Sequence, residues 1–173
     1  MADMLSLDLV DKGVVTNQIV LTVGYDKESL ADGHYTGEVV CDHYGRKVPK
    51  HAHGTQNLGM HTSSTRKIID ATMALFDRII DKTLLARRLN LTACNVIREE
   101  DIPEIESYEQ ISLFDMAEAA NADNNAEEKE RALQEAMLLI KHKYGKNAIL
   151  KGTNYTEGAT ARERNRSIGG HKA

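Results

Sequence analysis

The strongest β-strand signal in the chain lies at residues 18–25, which read Gln18-Ile19-Val20-Leu21-Thr22-Val23-Gly24-Tyr25. Ile19, Leu21 and Val23 alternate with less apolar positions such as Thr22, which is the pattern of a strand with one buried face. A second alternating segment at residues 85–97 predicts another strand of the same sheet. These two segments place the centre of the folded domain in the first hundred residues.

Helix signals flank the first strand on both sides. Residues 4–12 carry spaced apolar side chains and are followed by Gly13, which is typical of the last turns of a helix. Residues 64–81 predict the clearest helix, with Ser64 as its N-cap. Its apolar stripe consists of Ile68, Ile69, Thr72, Leu75, Phe76, Ile79 and Ile80.

The segment between this strand and this helix is polar. Residues 26–57 predict a long hairpin with one short strand near residues 37–41, and residues 58–63 predict a further strand. The order of these elements predicts an α+β fold, in which a small antiparallel sheet carries helices on one face. We expect this domain to span residues 1–98.

Charge divides the rest of the chain into segments. The net charge is −4, but residues 99–130 hold twelve Asp and Glu against the single Lys129, whereas residues 131–173 hold nine Lys and Arg against three Glu. We predict an acidic linker at residues 99–125, an amphipathic helix with a short extension at 126–152, and a flexible basic tail at 153–173.

The composition favours a reducing compartment. Cys41 and Cys94 are too few and too far apart for a disulfide framework, and neither a signal peptide nor a membrane-length apolar run is evident. We therefore expect a cytoplasmic protein that does not associate with membranes.

A short linear motif stands in the acidic linker. Leu113 and Phe114 are adjacent apolar anchors in a solvated segment, and Gln110 adds an amide three residues upstream. Such a peptide can bind a partner through two buried side chains while the amide fixes its register. The plainer alternative is that both anchors attach the linker to the surface of the domain.

The pentapeptide Gln110-Ile111-Ser112-Leu113-Phe114 resembles the motif that binds the bacterial sliding clamp. The chain as a whole resembles the C-terminal little-finger domain and tail of bacterial Y-family translesion DNA polymerases, in the UmuC-like, ImpB/MucB/SamB branch. The resemblance rests on Lys50-His51-Ala52-His53-Gly54-Thr55, on residues 17–26 and 87–91, and on residues 144–152, 158–160, 162–165 and 168–171.

This resemblance implies a non-catalytic part of an error-prone DNA polymerase that acts in DNA repair and damage tolerance. The palm and its metal-binding carboxylates would lie elsewhere in the parent protein, so we expect no cofactor here and magnesium in the parent polymerase. The implied partners are primer-template DNA, a sliding clamp and the polymerase core. A first strand of the little finger would also be missing.

A little finger binds the DNA backbone, which requires positive charge and N–H or hydroxyl donors. The candidate phosphate contacts are Arg46, Lys47, Lys50, Thr62, Ser63, Ser64, Arg66, Lys67, Arg87 and Arg88. Any one of them could equally be a solvated surface residue. Few aromatic residues accompany them, so base stacking is not expected as the main mode of binding.

Two alternatives remain open. The chain could be a regulatory module that binds the clamp or another protein without binding DNA. It could also bind zinc through Cys41, His43, His51 and His53, although their spacing fits no standard zinc motif. No nucleophile with an activating context and no phosphate-binding glycine loop is evident, which argues against an independent enzyme.

Overall fold

A computed structural model describes residues 1–31, 33–102, 113–168 and 171–172 of the chain. The chain divides into two compact units. One unit is Ala2–Pro103, and the other is Glu104–Ala173 together with Met1.

The first unit is built on a long central strand, β1 (Val14–Tyr25). It pairs antiparallel with β4 (Ala52–Thr62) on one side and with β5 (Ala86–Cys94) on the other. A short strand, β6 (Ile97–Arg98), pairs with the start of β1. The predicted strand at residues 85–97 is therefore interrupted, and Asn95 with a φ of 51° stands between its two parts.

Helix α2 (Thr65–Ile79) covers one face of this sheet. Its Leu75 is fully buried and forms the core with Ile19, Leu21, Val23 and Tyr25 of β1. Ser64 is the N-cap, because its side chain accepts a hydrogen bond from the backbone N–H of Lys67 at 3.2 Å. The predicted strand at 18–25, the predicted helix and its cap are confirmed.

Helix α1 (Ala2–Asp11) precedes β1 and packs against α2. The Ser6 and Thr65 hydroxyls share a buried hydrogen bond of 2.8 Å between the two helices. Gly13 follows α1 with a φ of 62°, a conformation that glycine adopts without strain. The prediction of a helix with a glycine stop is confirmed, and so is the α+β fold with a small antiparallel sheet.

The predicted hairpin at residues 26–57 is shorter than expected. It contains a 3₁₀ turn (Lys27–Leu30), β2 (Val39–Cys41) and β3 (Lys47–Pro49), and β4 begins at Ala52. The expected start of the last strand at residue 58 was wrong. The inward positions Ala52 and Gly54 are small, so they give no apolar signal.

The second unit contains helix α3 (Leu113–Tyr144), which begins within the segment predicted as a linker and is followed by Gly145 with a φ of 95°. Two residues of its predicted apolar face, Leu133 and Tyr144, are exposed. Within the predicted tail there are a 3₁₀ turn (Gly152–Tyr155), α4 (Ala161–Arg164), β7 (Ser167–Ile168) and β8 (His171–Lys172).

Candidate nucleic-acid interface

The two faces of β1 differ in chemistry. Ile19, Leu21 and Val23 are buried on the face that α2 covers, whereas Thr22 and Gly24 lie on the opposite face and are partly exposed. This alternation follows from the period of two in a β-strand, where successive side chains point to opposite sides of the sheet. The sheet therefore has one apolar face and one that is available to solvent.

The neighbouring strands continue this second face. Thr22 pairs with His53 of β4 and Asn90 of β5, and the Thr22 hydroxyl lies 3.0 Å from His53 Nδ1. Val20 pairs with two threonines, and Gly24 pairs with Arg88. We call the following six residues the open face: Thr22, His53, Thr55, Arg88, Asn90 and Thr92. None of the six is acidic, and together they offer many hydrogen-bonding groups.

The β2–β3 hairpin and the open face border a cleft of about 480 Å³. The sheet contributes Arg87 and Arg88 to its lining, and the hairpin contributes Arg46 and Asp42. With histidines neutral, the charged lining residues are these three arginines and one aspartate. A cleft with this balance of charge attracts anions.

Three of the cationic side chains predicted to contact phosphate have carboxylate partners on the same surface. The shortest nitrogen–oxygen distances are 2.6 Å from Arg46 to Asp42, 2.6 Å from Lys50 to Glu38 and 3.3 Å from Arg87 to Asp26. The pKa of Asp42 is lowered below its ordinary value, mainly by the hydrogen bond from the Arg46 side chain. The pKa of Asp26 is also lowered, mainly by the hydrogen bond from the backbone N–H of Glu28.

Arg88 differs from these three residues. Its guanidinium Nε donates to Asn90 Oδ1 at 3.3 Å, and no ion pair to it is found in the part of the chain that the structure describes. Arg88 also lies on the open face itself, because it pairs with Gly24 of β1. Lys47 is exposed on β3, opposite Cys41.

The other predicted contacts lie at the opposite end of the sheet. Thr62 pairs with Thr16, eight residues along β1 from Gly24, so roughly 26 Å separates the two ends at about 3.3 Å per residue. Arg66 is exposed there, and Lys67 Nζ lies 3.1 Å from Met60 Sδ. The structure therefore brings Arg46, Arg87 and Arg88 to one cleft and leaves this second group apart.

Two hydroxyls of this second group, those of Thr62 and Ser64, accept hydrogen bonds within the fold. Thr62 Oγ1 accepts from the backbone N–H of Ser64 at 3.0 Å, and Ser64 caps α2. Thr62 and Ser63 are buried, with 9% and 8% of their surface exposed. Arg66, by contrast, is exposed.

The polar residues of the open face carry no signal in the sequence that groups them. A strand that begins at residue 58 leaves His53 and Thr55 in the hairpin, whereas β4 begins at Ala52. The alternation of β1 already assigned Thr22 to the face opposite the core, and its pairing partners could have been found from the correct register.

The clamp-binding motif lies largely outside the described residues. Gln110, Ile111 and Ser112 are not described, while Leu113 and Phe114 begin α3 and their side chains are not described. The motif stays a prediction.

The four zinc-ligand candidates do not form a metal site in the structure. Among the residues that the structure describes, no three His, Cys, Asp or Glu side chains are placed to hold a metal ion together. His51 and His53 are near each other, with ring centroids 6.5 Å apart. Within the same residues, no helix has the length and apolar character needed to span a bilayer.

Fold and surface together define an α+β domain with an uncovered polar sheet face beside an arginine-lined cleft. No protein-family profile matches the chain, and no solved structure gives a significant match. The chain is 31% identical over 160 residues to the "Putative UV-damage repair protein UvrX" of Bacillus subtilis (strain 168). The match covers 92% of this chain but only 30% of the length of that protein.

Proposed function

We propose that this chain is the DNA-binding and clamp-tethering region of a Y-family translesion DNA polymerase that acts in DNA repair and damage tolerance. The observation that carries the DNA-binding part is the uncovered open face beside three clustered arginines. The similarity to a UV-damage repair protein over 92% of the chain supports the role in repair.

The open face suits the sugar-phosphate backbone. Hydroxyl, imidazole and amide groups can bond phosphate oxygens, and the arginines supply the charge that attracts them. Contacts from such groups to phosphate and sugar position a protein on DNA without reading its sequence. Binding that is independent of sequence serves a polymerase that must move along any template.

Arg88 is the leading phosphate contact in this proposal, since its charge is not neutralised by a carboxylate in the described residues. Arg87 would exchange Asp26 for a phosphate oxygen, while Arg46 would stay paired with Asp42 and add positive charge to the cleft. Such exposed ion pairs contribute about 0–1 kcal/mol each, so the exchange costs little. A phosphate can accept two parallel bonds from a guanidinium, which favours arginine over lysine here.

Clamp tethering would be the task of the motif at residues 110–114. A clamp held on DNA raises the effective concentration of an attached DNA-binding domain, so two weak contacts combine into stable binding. The acidic charge of residues 99–130 would keep this segment away from DNA. Magnesium chemistry would belong to a polymerase core elsewhere in the parent protein.

The test is the affinity of the full chain for a fluorescent primer-template, measured by anisotropy at several salt concentrations. Arg88→Ala should weaken binding and reduce the slope of log affinity against log salt by about 0.9, the contribution of one phosphate contact. Arg98→Ala is the matched control, because Arg98 is exposed at the other end of the sheet and pairs with Glu100.

We expect Arg98→Ala to bind DNA as the wild type does. Equal losses in both variants would show that only overall charge matters. Absence of wild-type binding at low salt would contradict the proposed DNA-binding function.

A further inference from the structure

The tip of the β2–β3 hairpin is a tightly bonded turn. The backbone N–H groups of Tyr44 and Arg46 both donate to Asp42 Oδ1 at 2.9 Å. Arg46 Nε donates to Asp42 Oδ2 at 2.8 Å, and the Gly45 N–H donates to the Asp42 carbonyl at 2.9 Å. Gly45 has a φ of 74°, which permits the chain reversal. One carboxylate therefore fixes both the backbone of the tip and the Arg46 side chain.

This turn presents an aromatic ring to solvent. Tyr44 is 78% exposed, the highest value among the large exposed apolar and aromatic side chains described. The guanidinium carbon of Arg46 lies 5.0 Å from the centre of its ring, and the His43 ring meets it edge to face at 5.4 Å. Tyr44 thus has an ordered position without being part of the core.

An exposed tyrosine in a turn is often only a solvated side chain, and Tyr144 and Tyr155 of the second unit are also exposed. Two observations distinguish Tyr44. Its backbone and its neighbouring guanidinium are held by the same carboxylate, so little conformational entropy is lost when a ligand binds. Tyr44 also lines the cleft that contains Arg87 and Arg88.

Aromatic rings and arginine planes are the groups on which proteins stack unpaired bases, and nearby positive charge holds the phosphates that connect those bases. The cleft volume of about 480 Å³ falls within the range of about 300–1,000 Å³ for small-molecule sites. Arg46 and Arg87 are paired with carboxylates, but Arg88 has no ion pair among the described residues, so the cleft favours an anionic ligand over a cationic one.

We propose that Tyr44 and Arg46 form a stacking platform for an unpaired nucleobase of DNA, with the adjoining phosphates at Arg87 and Arg88. This inference rests on the proposed DNA-binding function and adds a contact with single-stranded DNA. It assigns the hairpin the contact with a base, while Arg88 of the open face would contact phosphate in both proposals.

The test compares two single-stranded oligonucleotides of equal length, one with bases and one composed of abasic residues. Both present the same phosphates, so a difference between them reports on the bases. The full chain, Tyr44→Ala, Tyr44→Phe and the control Val39→Ala are titrated by anisotropy. Val39 is 44% exposed on the same hairpin, which makes it a matched site without an aromatic ring.

Tyr44→Ala should bind the base-containing oligonucleotide about ten-fold more weakly, which corresponds to about 1.4 kcal/mol. Its affinity for the abasic oligonucleotide should equal that of the wild type. Tyr44→Phe and Val39→Ala should retain wild-type affinity for both, because phenylalanine keeps the ring and Val39 does not stack.

An unchanged affinity of Tyr44→Ala for the base-containing strand, with wild-type binding intact, would overturn the platform and leave the proposed function standing. Equal weakening on both strands would also overturn it, since the change would then act through the hairpin and not through a base. Failure of the wild type to bind either strand or a primer-template would instead contradict the proposed function.

Discussion

Gly54 lies beneath helix α2 with no room for a larger side chain. A Cβ atom at this position would stand 2.8 Å from Leu75 Cδ1 and 2.8 Å from Ile79 Cγ2. Carbon atoms prefer about 3.5–4.0 Å, so the Leu75 and Ile79 side chains, or the helix that carries them, would have to shift by roughly 1 Å. Such overpacking costs about 1–3 kcal/mol, and the stiffer unfolded chain offsets about 0.4–1 kcal/mol of it.

We therefore expect Gly54→Ala to lower the free energy of unfolding by about 1–2 kcal/mol. Leu75→Ala should lower it by about 2–5 kcal/mol, because Leu75 is fully buried. The loss of unfolding free energy in the double variant should be about 1 kcal/mol smaller than the sum of the losses in the two single variants, because Leu75→Ala removes one of the two clashes.

Gly24→Ala is the matched control on the same sheet. A Cβ at Gly24 would meet only Arg88, at the ordinary distance of 3.5 Å. Its stability should be unchanged or slightly higher. The chain has no tryptophan whose fluorescence could report unfolding. The assay is therefore urea denaturation monitored through hydrogen exchange of the β1 amides. Equal stability of the Gly54 and Gly24 variants, or strict additivity of the double variant, would refute this account of sheet–helix packing.

Two further predictions concern single side chains. Ser64→Ala should destabilise α2 by about 1 kcal/mol through loss of the N-cap, whereas Ser64→Asp should retain the cap. Hydrogen exchange of the α2 amides measures the stability of the helix in both variants. An equal loss of helix stability in both would contradict the capping role of Ser64. The Asp42 pKa lies below 3.8, so the ordered hairpin tip should persist above that pH and loosen as pH falls through the lowered pKa. Amide NMR titration of Tyr44 and Arg46 should show this inflection, and Asp42→Asn should abolish it; an unchanged titration in the variant would exclude Asp42 as its cause.

The central elements could be predicted because each follows from a local pattern. Strand β1 alternates over residues 18–25, and α2 combines a cap at Ser64 with an apolar stripe. Strand β4 was predicted too short because its buried positions Ala52 and Gly54 are small; only the close contact with α2 explains them.

The cleft could not be predicted from local sequence. Arg46 and Arg87 are far apart in the chain, and they line one cleft only because the β2–β3 hairpin folds beside the open face. The pairing of Arg46 with Asp42 depends on the turn geometry of residues 42–46. The sequence identified these cations as candidates, and the tertiary structure determines which of them lie in the same cleft.

We propose that this chain acts at a replication or repair site by binding a sliding clamp and DNA. The most direct test of this proposal is binding of the purified chain to a bacterial sliding clamp, compared with the Leu113→Ala/Phe114→Ala double variant. We expect the wild type to bind the clamp and the double variant to lose this binding, with DNA binding unchanged in both. Absence of clamp binding by the wild type, or equal binding by the double variant, would contradict it.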